Sequence, residues 1–69
     1  MRWNLSIYYY NGDERHVNVS DLRDMGDTYE YEIVGYPETF ILVLDIVEGV
    51  IYNGDTIYGG DLYHIGGIQ

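Results

Sequence analysis

The fold of this chain is decided by residues 3–19, which read WNLSIYYYNGDERHVNV. Apolar side chains recur at every second position on both sides of Asn11-Gly12-Asp13, and this alternation is typical of β-strands with one buried face. Asparagine, glycine and aspartate are common turn residues. We therefore predict that the chain doubles back here as an antiparallel hairpin.

The length of this turn decides the register of the hairpin. A two-residue turn would place Ile7 opposite His16 and mix polar with apolar faces. A three-residue turn over residues 11–13 places Ile7 opposite Val17 and Leu5 opposite Val19. Because a slip of one residue moves every side chain to the other face, we predict the three-residue turn. The expected buried face is Leu5, Ile7, Val17 and Val19, and the expected outer face is Ser6, Tyr8, His16 and Asn18.

Further short elements follow along the chain. Residues 28–34 alternate, with Tyr29, Tyr31 and Ile33 on one face and with Glu30 and Glu32 on a face expected to meet water. The almost continuously apolar stretch from Thr39 to Val47, interrupted by Asp45, predicts a central strand buried on both faces. Three local signals predict a helical turn near 21–25. Ser20 is a candidate N-cap, Gly26 a candidate C-terminal glycine, and Leu22 and Met25 have i, i+3 spacing.

Two more hairpins are predicted near the end of the chain. One turns at Glu48-Gly49 and places Ile46 opposite Ile51. The other turns at residues 53–55 and places Ile51 opposite Ile57. A last short strand is predicted at residues 62–65.

The punctuation of the chain by glycine-rich turns, without a linker or a low-complexity segment, predicts a single domain over residues 1–69. The expected class is all-β or mostly β. A small antiparallel meander curled into an SH3-like barrel is the expected architecture, since closure of a sheet hides its edges.

Charge is the most unusual global property. Twelve acidic residues stand against three arginines, and the formal net charge is -9. Such a surface repels nucleic acid and anionic membrane, so direct binding to either is not expected. The chain has no cysteine, no signal-peptide pattern and no apolar run of about 20 residues, which favours the cytoplasm.

The sequence predicts neither catalysis nor a metal or other cofactor. Ser6 and His16 share a sheet face in the predicted register, but as diagonal neighbours on an open surface, so no catalytic residue and no enzyme is expected. Residues 53–61 are similar to one calcium-binding nonapeptide repeat. A repeat opening at Gly59-Gly60 would, however, need glycine at Leu62 and aspartate at His64. We therefore expect the domain to fold without metal.

The densest patch of one sign lies between Asp21 and Glu32, where five acids accompany one arginine, Arg23. Along an extended strand Glu30 and Glu32 are about 6.6 Å apart at a rise of ~3.3 Å per residue. Two successive phosphates on one strand of B-DNA advance by a similar distance, about 3.4 Å each. Exposed tyrosines add apolar anchors to an interface. The predicted partner-binding residues are Asp21, Asp24, Asp27, Glu30, Glu32, Tyr8 and Tyr10.

In its length, acidity, aromatic content and lack of catalytic groups, the chain resembles small phage-encoded inhibitor proteins of the anti-CRISPR, anti-restriction or DNA-mimic type. The resemblance implies a viral protein acting in the host cytoplasm. It also implies an inhibitor that occupies the basic nucleic-acid channel of a nuclease or another DNA or RNA enzyme. Two alternatives remain open: a structural or assembly β subunit that self-associates or docks into a larger complex, and a ligand-binding regulatory barrel.

Overall fold

The computed structural model describes residues 3–59, and these residues form two antiparallel sheets with almost no helix. No helix among them is long and apolar enough to cross a membrane. The elements in chain order are β1 (Leu5–Tyr9), β2 (Glu14–Val17), β3 (Val19–Asp24), β4 (Thr28–Ile33), β5 (Thr39–Val43), a 3₁₀ turn (Leu44–Ile46), β6 (Val47–Tyr52) and β7 (Asp55–Tyr58).

The chain passes twice between the two sheets. Strands β2-β1-β6-β7 form the four-stranded sheet, and β3-β4-β5 form the three-stranded sheet. The first passage is the single residue Asn18 between β2 and β3, and the second is the 3₁₀ turn between β5 and β6. At the first corner the Asn4 side chain donates to the Val19 carbonyl and accepts from the Val19 amide, both at 2.8 Å. This side chain therefore supplies the backbone partners that a neighbouring strand would otherwise give.

The core lies between the inner faces of the two sheets. Leu5 and Ile7 of β1 are fully buried, and Tyr29 and Tyr31 of β4 are 4% exposed. The Tyr29 hydroxyl donates to the Ile57 carbonyl at 3.0 Å and so links β4 to β7 of the other sheet. The buried apolar residues are Leu5, Ile7, Val19, Tyr29, Tyr31, Leu42, Leu44, Val47 and Val50.

In the first hairpin Leu5, Ile7 and Val17 face the core as predicted, whereas the predicted partner Val19 belongs to β3 of the other sheet. The register of the hairpin also differs from the prediction. Leu5 pairs with Val17 and Ile7 pairs with Arg15, so the predicted pairs are wrong by two residues. The three-residue loop is residues 10–12 instead of 11–13, because the Tyr9 carbonyl accepts from the Gly12 amide at 3.0 Å and Gly12 adopts a φ of 95°. A shift of two residues preserves the face of every side chain.

The predicted helical turn near 21–25 is wrong, because residues 21–24 belong to strand β3. Gly26, with φ 94°, lies in a tight turn in which its amide donates to Asp24 Oδ1 at 2.8 Å. The Met25 amide donates to the Thr28 carbonyl, and Met25 itself is exposed. One turn of helix forms few hydrogen bonds, whereas the strand pairs with β4 along its length.

The predicted central strand over residues 39–47 is also wrong. β5 ends at Val43 and is an edge strand of the three-stranded sheet, and its Ile41 is 63% exposed. Glu48-Gly49 lies inside β6, so no hairpin turns there and Ile46 does not face Ile51. The interior strands of the four-stranded sheet are β1 and β6.

The second late hairpin is confirmed as a turn, with a shorter loop than predicted. Asn53 (φ 52°) and Gly54 (φ 85°) both have left-handed backbone conformations, as a two-residue type I′ turn requires. Ile51 therefore pairs with Thr56, and the predicted pairing with Ile57 is wrong. The strand predicted at residues 62–65 lies outside the described residues.

Candidate protein-binding surfaces

The outer side of the three-stranded sheet carries a group of carboxylates. Tyr29 and Tyr31 of β4 point into the core, so the alternating Glu30 and Glu32 point outward. On the neighbouring strand Asp21 pairs with Glu32, and Arg23 pairs with Glu30. We call the outward side chains of Asp21, Glu30 and Glu32 the acidic face.

Arg23 lies at the centre of the acidic face. Its Nη1 donates to Glu32 Oε1 at 2.9 Å and its Nη2 donates to Glu32 Oε2 at 2.7 Å, which is a bidentate pair. The same guanidinium also contacts the Asp21 carboxylate, and Nη2 lies 3.6 Å from Glu30 Oε1. The three carboxylates and one guanidinium leave a group charge of -2.

These contacts shift the pKa of both partners in the bidentate pair. The hydrogen bonds from Arg23, and then that from the Thr39 hydroxyl at 2.6 Å, lower the pKa of Glu32 from 4.5 to about 2. The hydrogen bond to Glu32 raises the pKa of Arg23 further above its ordinary value. Glu32 therefore remains ionised under all but strongly acidic conditions.

Glu30 and Glu32 lie on the outer face, where the sequence predicts them, but Glu32 is engaged in hydrogen bonds there. Its side chain is 23% exposed, and both of its carboxylate oxygens accept hydrogen bonds from Arg23 or Thr39. The Glu30 side chain is 30% exposed, and its one ion-pair contact within residues 3–59 is the longer contact to Arg23. Glu30 is thus the more available of the two carboxylates.

The remaining two predicted acids lie at the β3–β4 turn, at one end of the acidic face. Asp24 is committed to the turn by its hydrogen bond from the Gly26 amide. Asp27 is exposed, and its side chain forms no hydrogen bond or ion pair with residues 3–59. The structure therefore brings the five predicted acids to one sheet and its turn. They differ in how far their carboxylates are already engaged in hydrogen bonds or ion pairs.

The two predicted tyrosines belong to the other sheet. Tyr8 alternates with the buried Ile7 and so lies on the outer face of the four-stranded sheet, where its ring meets the His16 ring edge-on at 5.9 Å. Tyr10 is 69% exposed in the β1–β2 turn. Since the core separates the outer faces of the two sheets, Tyr8 and the acidic face do not form one surface.

The outer face of the four-stranded sheet also holds a hydrogen-bonded row that joins Ser6, His16 and Glu14. Ser6 and His16 are direct cross-strand partners, which corrects the diagonal placement predicted from the sequence. Ser6 Oγ lies 2.8 Å from His16 Nδ1, and His16 Nε2 lies 3.0 Å from Glu14 Oε1. The row stands on an open sheet face, with the Glu14 side chain 53% exposed, and its evident effect is to fix the pairing of β1 with β2.

A surface cavity that the sequence interpretation missed lies beside the β1–β2 turn. It has a volume of about 320 Å³ and is lined by Tyr9, Tyr10, Asn11, Asp45 and Ile46. The sequence predicts Asp45 and Ile46 within a buried strand, whereas both are exposed in the 3₁₀ turn. The charged Asp45 inside an apolar run was the available signal that the strand ends before it.

Two other observations bear on function. No group of three or more histidine, aspartate or glutamate side chains within residues 3–59 is arranged to hold a metal ion. Comparison of the chain with protein-family models, with curated proteins and with solved structures gives no match. The geometry of the surfaces described above is therefore the basis for the functional argument.

Proposed function

We propose that this protein inhibits a nucleic-acid-handling enzyme or complex by binding the partner's basic surface through the acidic face. The observation that carries the proposal is the gathering of Asp21, Glu30 and Glu32 on one side of a sheet, next to Asp24 and Asp27 at its turn. Arg23 is the one basic residue within residues 21–32, so it alone offsets these charges in that segment. A partner rich in lysine and arginine is complementary to this surface.

The rigidity of the acidic face supports this proposal. Glu32 is held by two hydrogen bonds from Arg23 and one from Thr39, on a strand that is paired on both sides. Ordering a flexible side chain costs free energy on binding, so a carboxylate already held in place loses less. Fixed carboxylates along a strand resemble the regular charges of a phosphate backbone, which supports mimicry of nucleic acid as the mode of inhibition.

The proposal extends to the setting and the architecture of the protein. A small acidic domain of this kind resembles phage-encoded anti-CRISPR and anti-restriction inhibitors, and as such it would act in the cytoplasm of the host. We also propose that the two sheets form an SH3-like barrel. Support for the barrel comes from the single-residue passage at Asn18 and the 3₁₀ return at residues 44–46, which curl the chain around one core.

The test of this function uses two double variants with the same net charge. Asp27→Asn/Glu30→Gln removes two charges from the acidic face and its turn without touching the Arg23–Glu32 pair. Asp55→Asn/Glu48→Gln removes two charges from the other sheet, where neither side chain forms an ion pair within residues 3–59. Both variants keep the same reduced overall charge, so they differ only in where the charge was lost.

The partner is first recovered by affinity purification from host lysate at low salt, and association rate and inhibition are then measured. We expect the Asp27/Glu30 variant to associate several-fold more slowly than the Asp55/Glu48 variant, because local charge complementarity acts mainly on the association rate. The partner's own DNA or RNA should compete with the unmodified protein. Equal rates for the two variants, or binding that persists alongside bound nucleic acid, would count against the proposal.

A second candidate function is a structural or assembly subunit, and exposed apolar surface favours it. Nine large apolar or aromatic side chains are exposed among the described residues. Two of them, Ile41 and Val43, lie on β5, which pairs with no second strand within residues 3–59. An apolar sheet edge is a site where another strand is able to pair. The oligomeric state distinguishes this candidate from the inhibitor.

A further inference from the structure

The cavity beside the β1–β2 turn is built by two segments that the fold holds together. Tyr10 and Asn11 belong to the turn, whereas Asp45 and Ile46 belong to the 3₁₀ turn. The Tyr10 amide donates to the Ile46 carbonyl at 3.2 Å and joins the two segments. The cavity is therefore a feature of the folded domain and not of one loop.

The chemistry of the lining suits one type of side chain. Tyr9 and Tyr10 supply aromatic rings, Ile46 supplies an apolar surface that is 58% exposed, and Asp45 supplies an exposed carboxylate. An arginine side chain combines a planar cation, which stacks on aromatic faces and pairs with carboxylates, with an aliphatic stem that packs on apolar surface. Each part of the lining thus has a counterpart in arginine.

The charge of the protein favours a cationic occupant from outside the domain. Asp45 forms no ion pair with any arginine or histidine of residues 3–59. Arg23, the arginine that is paired, is committed to the acidic face. With a net charge of -9 the molecule attracts basic partners at long range.

We propose that this cavity binds an arginine side chain of a partner protein and so forms a second anchor, separate from the acidic face. The Asp45 carboxylate pairs with the guanidinium, the exposed Tyr10 ring stacks on it, and Ile46 packs against its aliphatic stem. The volume of about 320 Å³ is sufficient for one side chain. The inference rests on the proposed function only in requiring a basic protein partner, because the site and its residues are different.

The test needs no partner, so its failure is distinguishable from failure of the proposed function. N-acetyl-arginine amide is titrated into the ¹⁵N-labelled full chain, and amide chemical shifts are followed by NMR. N-acetyl-citrulline amide, which has nearly the same shape without the charge, is the control probe. We expect saturable shifts at Tyr10, Asn11, Asp45 and Ile46 with the arginine probe and none with the citrulline probe.

Substitutions then assign the contacts. Asp45→Asn and Tyr10→Ala should each weaken binding of the arginine probe by about two- to fivefold, the size expected for one exposed ion pair or cation–π contact. The matched controls are Asp55→Asn, with the same change of charge at the start of β7, and Tyr36→Ala, which removes another exposed tyrosine. Both controls should bind as the unmodified protein does.

Three results would overturn the inference. One is shifts that cluster on the acidic face instead of the cavity. Another is equal binding of the arginine and citrulline probes, and the third is unchanged binding by Asp45→Asn. The fold of each variant is intact if its amide chemical shifts outside the substituted site match those of the unmodified protein.

Discussion

Arg23 organises the charge of the three-stranded sheet. In the sequence, Arg23 is the one basic residue within the acidic segment of residues 21–32. The outward face of its second strand could be recognised, because acids alternate with tyrosines in residues 28–34. The pairing of Arg23 with Glu32 could not be predicted, because local capping signals placed Arg23 on a helical turn. Only the β3–β4 register places the two side chains on adjacent strands of one face.

The Arg23–Glu32 pair predicts that the free energy of unfolding depends on pH through the titration of Glu32. The pKa of Glu32 is lowered in the folded state from 4.5 to about 2. The ionised pair therefore stabilises the fold fully above pH 4.5, and its contribution is lost as the pH falls toward 2. We expect Glu32→Gln to lower the free energy of unfolding at pH 7, and the difference from the unmodified protein to shrink between pH 4.5 and pH 2.

Urea unfolding followed by circular dichroism at pH 7, 4.5 and 2.5 measures this difference. Glu38→Gln is the control, since Glu38 is exposed and its side chain forms no ion pair within residues 3–59. Comparison of each variant with the unmodified protein at the same pH removes the pH dependence that the proteins share. A difference for Glu32→Gln that stays constant down to pH 2.5 would show that the pair does not hold the pKa of Glu32 low.

At the scale of the elements, the sequence predicted which side chains share a face more reliably than which residues pair. The β1–β2 hairpin shows why: a period of two is unchanged when the loop moves from residues 11–13 to residues 10–12. The apolar run from residue 39 to residue 47 shows a different limit, because a strand followed by a 3₁₀ turn has the same composition as one buried strand. Tertiary pairing decides between such alternatives.

A contact between two elements predicts an unequal cost for two glycine substitutions. Gly54 and Gly59 both have a φ of 85°, so alanine is strained at either position. A Cβ at Gly59 would lie 2.2 Å from the Glu48 carbonyl oxygen of β6, whereas a Cβ at Gly54 would have nothing within 4 Å. We expect Gly54→Ala to cost about 1 kcal/mol and Gly59→Ala to cost clearly more.

Chemical denaturation of the two variants measures the difference in the free energy of unfolding. The comparison isolates the steric contact, because the two glycines have the same φ of 85°. If Gly59→Ala costs no more than Gly54→Ala, then Gly59 does not lie against the Glu48 carbonyl of β6.

At the scale of the whole molecule, the surfaces come from different kinds of sequence information. The acidic face lies within one hairpin, so the density of acids in residues 21–32 was sufficient to find it. The cavity combines Tyr10 with Asp45, which are distant in the sequence, and no local pattern joins them. The separation of Tyr8 from the acids likewise depends on how the chain is divided between two sheets.

Salt separates the two candidate functions, because it acts on them in opposite directions. Copies of a chain with net charge -9 repel one another, so screening strengthens self-association, whereas it weakens binding to a basic partner. As an inhibitor, the protein should be a monomer by sedimentation velocity at both low and physiological salt.

Two lysine variants test whether the β5 edge is a self-pairing site. Ile41→Lys lies on β5, and Val34→Lys lies in the loop that follows β4. Both make the same change of charge at exposed positions. In a monomer both should leave sedimentation unchanged. A dimer that tightens with salt, is lost in Ile41→Lys and persists in Val34→Lys would instead assign the β5 edge to self-pairing. The assembly subunit would then be the better account, since a copy paired there extends the three-stranded sheet at β5, whose second edge has no partner strand within residues 3–59.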